Sequence, residues 1–296
     1  MISSKILSHT RSSSLPSRLS HPLTPLFNHH LHKLKNGNST STPSSLSSIT
    51  EKLYILEHLY NCIDDLLLLP HTHKVFAEEC SEKWVEEILD GYLCLVDACS
   101  TAKDSVFQAK EYVLDLLSFL RRRRDMSSEN LSGFLISRKS AKKMINKSLK
   151  NISGLKNKPS VLALEKDQET IAIISMLKEA EMVTLDVFEA LLLSICGHSS
   201  MTRGSRWSLV SRLIKFSDKE ARQGVEFAEM DANLYKVVTA GFMTSSKCDN
   251  GGKIDELQQQ LRDIDASVRV VEETLERLFK RLIRTRVSLL NMHSQH

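Results

Sequence analysis

Histidine and cysteine cluster in "HTHKVFAEEC", which brings His71, His73 and Cys80 together, with His58 upstream. Imidazole and thiolate are the groups zinc prefers, but a structural zinc needs four of them at defined spacing, and no His or Cys pair recurs across a following loop. The stretch predicts solvated histidines and no metal site. In "NCIDDLLLLP" the carboxylates of Asp64 and Asp65 are adjacent in sequence. On a helix neighbours diverge by about 100° and do not face each other, so a proton-sharing dyad is not implied and a polar stripe on a packed helix is the expectation. No GxSxG, HExxH, GxxxxGKS or GxGxxG motif occurs, and 10 glycines in 296 residues leave no phosphate-cradling loop. No catalytic, cofactor-binding or metal-binding residue is assigned, and a non-enzymatic protein is the expectation.

Two other patterns carry chemistry. In "RSSSLP", an arginine three residues before Ser14 suits a basophilic kinase, and Pro16 two residues after it completes a phosphopeptide pattern read by 14-3-3 proteins. Phosphate on Ser14 would add about −1.5 to −2 charge and strong acceptors for an arginine cluster on the reader. Such motifs also arise by chance in Ser-rich text. The second pattern is the basic strip 121–158, which opens with Arg121, Arg122, Arg123 and Arg124 and carries +10 overall. On a helical wheel Phe134, Ala141, Ile145, Leu149 and Ile152 share one face, and Lys139, Lys143, Lys147 and Lys150 lie opposite. An anionic membrane surface, a nuclear-localisation or nucleic-acid patch, and a calmodulin-type target helix are the functional readings; a solvated bundle face is the plain one. Nucleic acid is the weakest, because only Phe134 is nearby to stack on a base. The membrane surface is the strongest of the three, and the arginine run itself reads as a helix terminus, where cations meet the negative end of the dipole.

The elements that must position these residues are helical. Leu, Lys, Arg and Glu dominate while Val, Ile and aromatics are sparse. Apolar spacing of three and four predicts a helix in "TEKLYILEHLYNCIDDLLLLP", with Thr50 as N-cap and Pro70 just past its end. One long helix or two follow to Arg124, with Gly91 marking either close packing or a break. A basic amphipathic helix runs to about Ile152, and another spans roughly 162–196. Shorter elements fall around "RWSLVSRLIKF" and "VEFAEMDANLYKVVTAGF", and "TSSKCDNGGK" is a loop. The final helix, 253–291, has the cleanest period: Ile254, Leu257, Leu261, Ile264, Val268, Val271, Leu275, Leu278 and Leu282 form one seam that demands a helical partner. Its flanking residues lack paired charges, which favours packing inside the chain over a homomeric coiled coil and leaves the oligomeric state open.

No acid precedes Glu51, and the first 50 residues carry five basic side chains, so the remainder is at −1. A near-neutral body is poorly suited to gripping a polyanion, so any basic function is local. Residues 1–49, rich in Ser, His and Pro, are expected to be a disordered basic tail, and 50–296 a single helical domain. The tail also matches an organelle transit peptide, which gives plastid or mitochondrion as the alternative to a cytoplasmic address, but scattered prolines spoil a presequence helix. The six cysteines show no CxxC pair and read as reduced core residues, so the chain is not expected to be secreted. No apolar stretch reaches the ~18 residues of a transmembrane helix.

Taken in order, "RSSSLPSRLSHPL", "LEHLYNCIDDLLLLP", "WVEEILDGYLCLVDACSTAKDSVFQAKEYVLDLLSFLRRRR", "SRKSAKKMINKSLKNI" and "LFKRLIRTRVSLLN" resemble the plant Bypass-like proteins across nearly the whole chain. The resemblance implies an entirely helical fold, no established enzymatic activity, and a link to root and shoot development. It supplies no catalytic or ligand residue to carry over, and it makes a disposable presequence less apt. The expectation is therefore an all-α, elongated multi-helix bundle behind a tail. It would act as a regulatory or scaffold protein with protein partners, with peripheral membrane contact through residues 121–150. An enzyme or small-ligand protein with a site between helices is the alternative.

Overall fold

The computed structural model describes residues 23–36, 45–74, 82–122, 128–157, 168–197, 226–243 and 250–294. These form eight helices and, among the described residues, no strand. They are α1 (Leu23–Asn36), α2 (Leu46–Leu67), α3 (Pro70–Lys74), α4 (Glu82–Arg122), α5 (Ser128–Lys156), α6 (Gln168–Cys196), α7 (Glu226–Met243) and α8 (Asn250–Ser294).

The longest rods, α4 with 41 residues and α8 with 45, lie against each other and set the length of the molecule. At about 1.5 Å per residue each extends roughly 60 Å or more. They run antiparallel, since Lys103 pairs with Glu276 while Lys110, seven residues on, pairs with Glu272. Every one of the nine α8 seam residues is buried, and the covering surface comes from α4, α2 and α7 of the same chain. The second layer is α6, which packs on α4, α5 and α2. One continuous apolar core joins all of these helices except α3.

Gly91 lies inside an unbroken α4, and the need it meets is close approach. A Cβ at that position would stand 2.6 Å from Oε2 of Glu181 on α6. The N-cap of α2 lies five residues before the expected Thr50: Ser45 accepts from the amide of Ser48 at 3.2 Å, while Thr50 donates back to the Leu46 carbonyl at 2.8 Å. Several Ser and Thr precede this apolar run, and any of them has the chemistry of a cap. Pro70, expected just past the end of α2, opens α3, where the missing amide hydrogen costs nothing.

Within the stretch expected to be a structureless tail, 23–36 is helical. Phe27, Leu31 and Leu34, at 0, 6 and 1% exposure, fall at i, i+4 and i+7 and dock α1 on α2 and α6. Pro25 is tolerated because first-turn amides have no intrahelical partner. The helical body therefore starts before residue 50. The "RWSLVSRLIKF" element lies outside the described residues, and "NGGK", expected in a loop, forms the first turn of α8.

Candidate functional site

The basic strip divides between two helices and, within α5, between two faces. Arg121 and Arg122 are exposed in the last turn of α4, where free carbonyls favour cations. Arg123 and Arg124 lie outside the described residues, as does Ser14.

On α5, the apolar face expected from the wheel is turned inward. Leu131, Ile145 and Ile152 are buried, and Phe134 and Leu149 are packed against the core. Three cations of the strip share that side. Arg138 is only 4% exposed: its Nε donates to Asp231 Oδ1 at 2.8 Å, and Nη2 donates to the Ile195 carbonyl at 2.5 Å. Its guanidinium also lies over the rings of Phe227, at 5.0 Å, and Tyr112, at 5.9 Å. Ile195 stands in the last turn of α6, whose carbonyls lack helical partners, so one guanidinium ties α5 to the end of α6 and to α7. Lys142 adds a second cation to Asp231 at 2.6 Å, and Lys156 is paired with Asp186 and Glu189 of α6. Next to this junction α6 ends at Gly197, whose φ of 73° suits glycine and lets the backbone of α7 come close.

The opposite face is the exposed one. Lys139, Lys143, Lys147 and Lys150 all point away from the core, as expected from their spacing. Ile136, at 70% exposure, shares that side, and Met144, at 54%, stands at its edge toward the α4 helix. No Asp or Glu occurs between 130 and 156, so the one acid of α5, Glu129 in its first turn, stands ten residues before the first lysine of the row. None of these four lysines is ion-paired within the described residues. Between α4 and α5 opens a groove of about 550 Å³, with Tyr112 and Phe134 at its base, Phe107 and Met144 at its rim, and Glu111 and Asp115 on the α4 wall. The hydroxyl of Tyr112 donates to the Phe134 carbonyl at 3.2 Å, and its ring stands edge-on to Phe134 at 6.1 Å. Burial raises the pKa of that hydroxyl, which stays protonated.

The other sequence candidates are structural in their surroundings. Asp64 is buried and accepts from Thr285 Oγ1 at 2.7 Å and Arg281 Nη1 at 3.2 Å, while Asp65 faces solvent. The pair thus diverges, and Asp64 latches α2 to α8. His58 is exposed and stacks on His30 of α1 with ring centroids 5.7 Å apart; His29 meets His30 edge-on at 5.6 Å. His73 lies on α3, and Cys80 falls outside the described residues. Among the described residues no group of three or more His, Cys, Asp or Glu is arranged to hold a metal ion. The described cysteines are free thiols; burial pushes Cys99 up to about 12. No helix among the described residues is long and apolar enough to cross a membrane.

The structure sorts the cations in a way that spacing alone left mixed. Arg138 falls at i+4 from Phe134 and i−3 from Ala141, which is the core face, so a buried ion pair was legible in the wheel. Its partner Asp231 lies on another helix 93 residues away and was not.

A helical bundle with a cation-rich exposed face on α5 defines the class. The chain belongs to the Protein BPS1 family, the Bypass family, whose model matches residues 52–292. That membership ties it to a plant developmental role of unknown molecular function. No curated protein and no solved structure matches the chain.

Proposed function

We propose that the protein works without catalysing a reaction, as a regulatory or scaffold component of root and shoot development on the cytoplasmic side of anionic membranes. The observation that carries this is the exposed row Lys139, Lys143, Lys147 and Lys150 with Ile136 and Met144 alongside. Each lysine near an anionic lipid surface contributes about 1 kcal/mol, so the four supply about 4 kcal/mol. That corresponds to about millimolar binding, and insertion of the two apolar side chains deepens it. Contact of this strength is reversible and falls with salt. Arg121 and Arg122, exposed at the end of α4, extend the basic surface.

Sedimentation of the full chain with phosphatidylserine-containing and with pure phosphatidylcholine vesicles tests it. Binding to the first only, lost in K139E/K143E, supports the proposal. Equal binding to both, or to neither, overturns it. Phosphorylated Ser14 as a 14-3-3 dock is a second element, supported by the "RSSSLP" pattern, and a Ser14 phosphopeptide without affinity for a 14-3-3 dimer would remove it. The α4–α5 groove is of ligand size and favours the other reading, a small-ligand or enzyme site between helices. Its described lining offers carboxylates and hydroxyls but neither histidine nor cysteine.

A further inference from the structure

The lysine row has a counterpart on the neighbouring helix. Asp104, Glu111 and Asp115 are exposed along one face of α4, spaced by whole turns, with Phe107 between them at 52% exposure. No lysine or arginine interrupts that face, because Lys103 and Lys110 are turned to Glu276 and Glu272 of α8. Within the chain the acidic row and the α5 lysine row do not pair: none of Asp104, Glu111, Asp115, Lys139, Lys143 or Lys147 makes an ion pair among the described residues. The groove runs between the helices, its α5 wall formed by Phe134, Ser137, Ser140, Ala141 and Met144 and not by the lysines, with Phe107 and Met144 exposed at its rim.

We infer that this α4–α5 face is the interface of a homodimer, in which the lysine row on α5 of each copy lies against the acidic row on α4 of the other. Both rows lie on the solvent side of the packed α4–α5 pair, which is what an isologous contact requires: the surface that offers cations to the partner also receives them. A two-fold axis running along the α4–α5 pair places α5 of one copy over α4 of the next. The four helices then form an antiparallel bundle with alternating charge at its corners and Phe107, Ile136 and Met144 toward the middle. Exposed apolar side chains flanked by complementary charges are what such a contact uses, the former for burial and the latter for register. The occupant is identified by charge: a basic ridge with protruding apolar residues is what the acidic wall fits, and α5 of the chain itself is such a ridge. Lipid and the second copy would compete for the same lysines, so self-association would limit membrane contact.

Sedimentation equilibrium or light scattering without lipid, from about 1 μM to about 1 mM, reads the result independently of vesicle binding. The full chain is expected to approach twice its 33.5 kDa mass. E111K/D115K and K139E/K143E, all at exposed positions, are each expected to remain at the monomer mass with unchanged helical circular dichroism. Mixing these two variants is expected to restore the doubled mass, because in the mixed pair one contact is native and the other is charge-reversed on both sides. A monomer throughout, a dimer indifferent to either variant, or a mixture that stays monomeric overturns the inference.

Discussion

Arg138 and Lys139 are adjacent cations on one helix, and replacing each by methionine separates their roles. Arg138→Met removes three hydrogen bonds and the charge that faces Asp231, and leaves the Ile195 carbonyl without that donor. Breaking a buried ion pair by deleting one partner typically costs about 3–5 kcal/mol. Here Lys142 remains 2.6 Å from Asp231 and keeps that carboxylate paired, which places the loss at the lower end, about 3 kcal/mol. Asp231→Ala is worse, at about 4 kcal/mol, because Arg138 at 4% exposure is left charged with no carboxylate. Lys139→Met touches no partner in the described structure and should stay within about 0.5 kcal/mol. Urea unfolding followed by circular dichroism at 222 nm measures all three through the midpoint at constant slope. Equal midpoints for Arg138→Met and Lys139→Met would refute the division of α5 into a tied face and a free one.

The same logic separates the adjacent aspartates: Asp64→Ala is expected to lose about 1–3 kcal/mol, since Thr285 and Arg281 lose a buried acceptor, and Asp65→Ala less than about 0.5. Gly91→Ala gains about 1 kcal/mol of helix propensity but drives a methyl to within 2.6 Å of the Glu181 carboxylate, which also pairs with Lys178. Since only the carboxylate end of that side chain has to move, the two effects are expected to offset roughly in the native chain, with the full gain in a Glu181→Ala background, a difference that a double-mutant cycle by thermal unfolding detects. His30 is held below its ordinary 6.5 by burial and by the neighbouring His58 and His29. Its folded form thus binds a proton less readily than its unfolded form, so stability is fullest above 6.5 and declines as pH falls below it. A melting-temperature series over this range should flatten in His30→Gln, and an unchanged slope would show that α1 docking is not the titrating contact.

How far the sequence foretold this molecule depends on the range over which the physics acts. The α8 seam is readable because nine apolar residues of one helix follow a single period, and all nine side chains are buried. Gly91 is ambiguous in the sequence, since the side chain it faces, Glu181, belongs to another helix. Helix α1 was hidden by composition: Ser and Pro around it outweigh Phe27, Leu31 and Leu34, whose spacing alone signals a docked face. The exposed lysine row followed from the wheel, whereas the acids that hold Arg138 and Lys156 inward depend on tertiary partners. The groove, and the acidic row across it, belong to no single segment.

The most direct test of lipid contact through α5 is photo-crosslinking from the lysine face itself. A photoreactive amino acid at Met144, exposed at the edge of that face, and a control at Val270, exposed on α8, are each irradiated with phosphatidylserine vesicles. Crosslinks to lipid from position 144 and not from 270, abolished when phosphatidylcholine replaces phosphatidylserine, are the predicted result. Absence of lipid adducts at 144, or equal labelling at both positions, would contradict it.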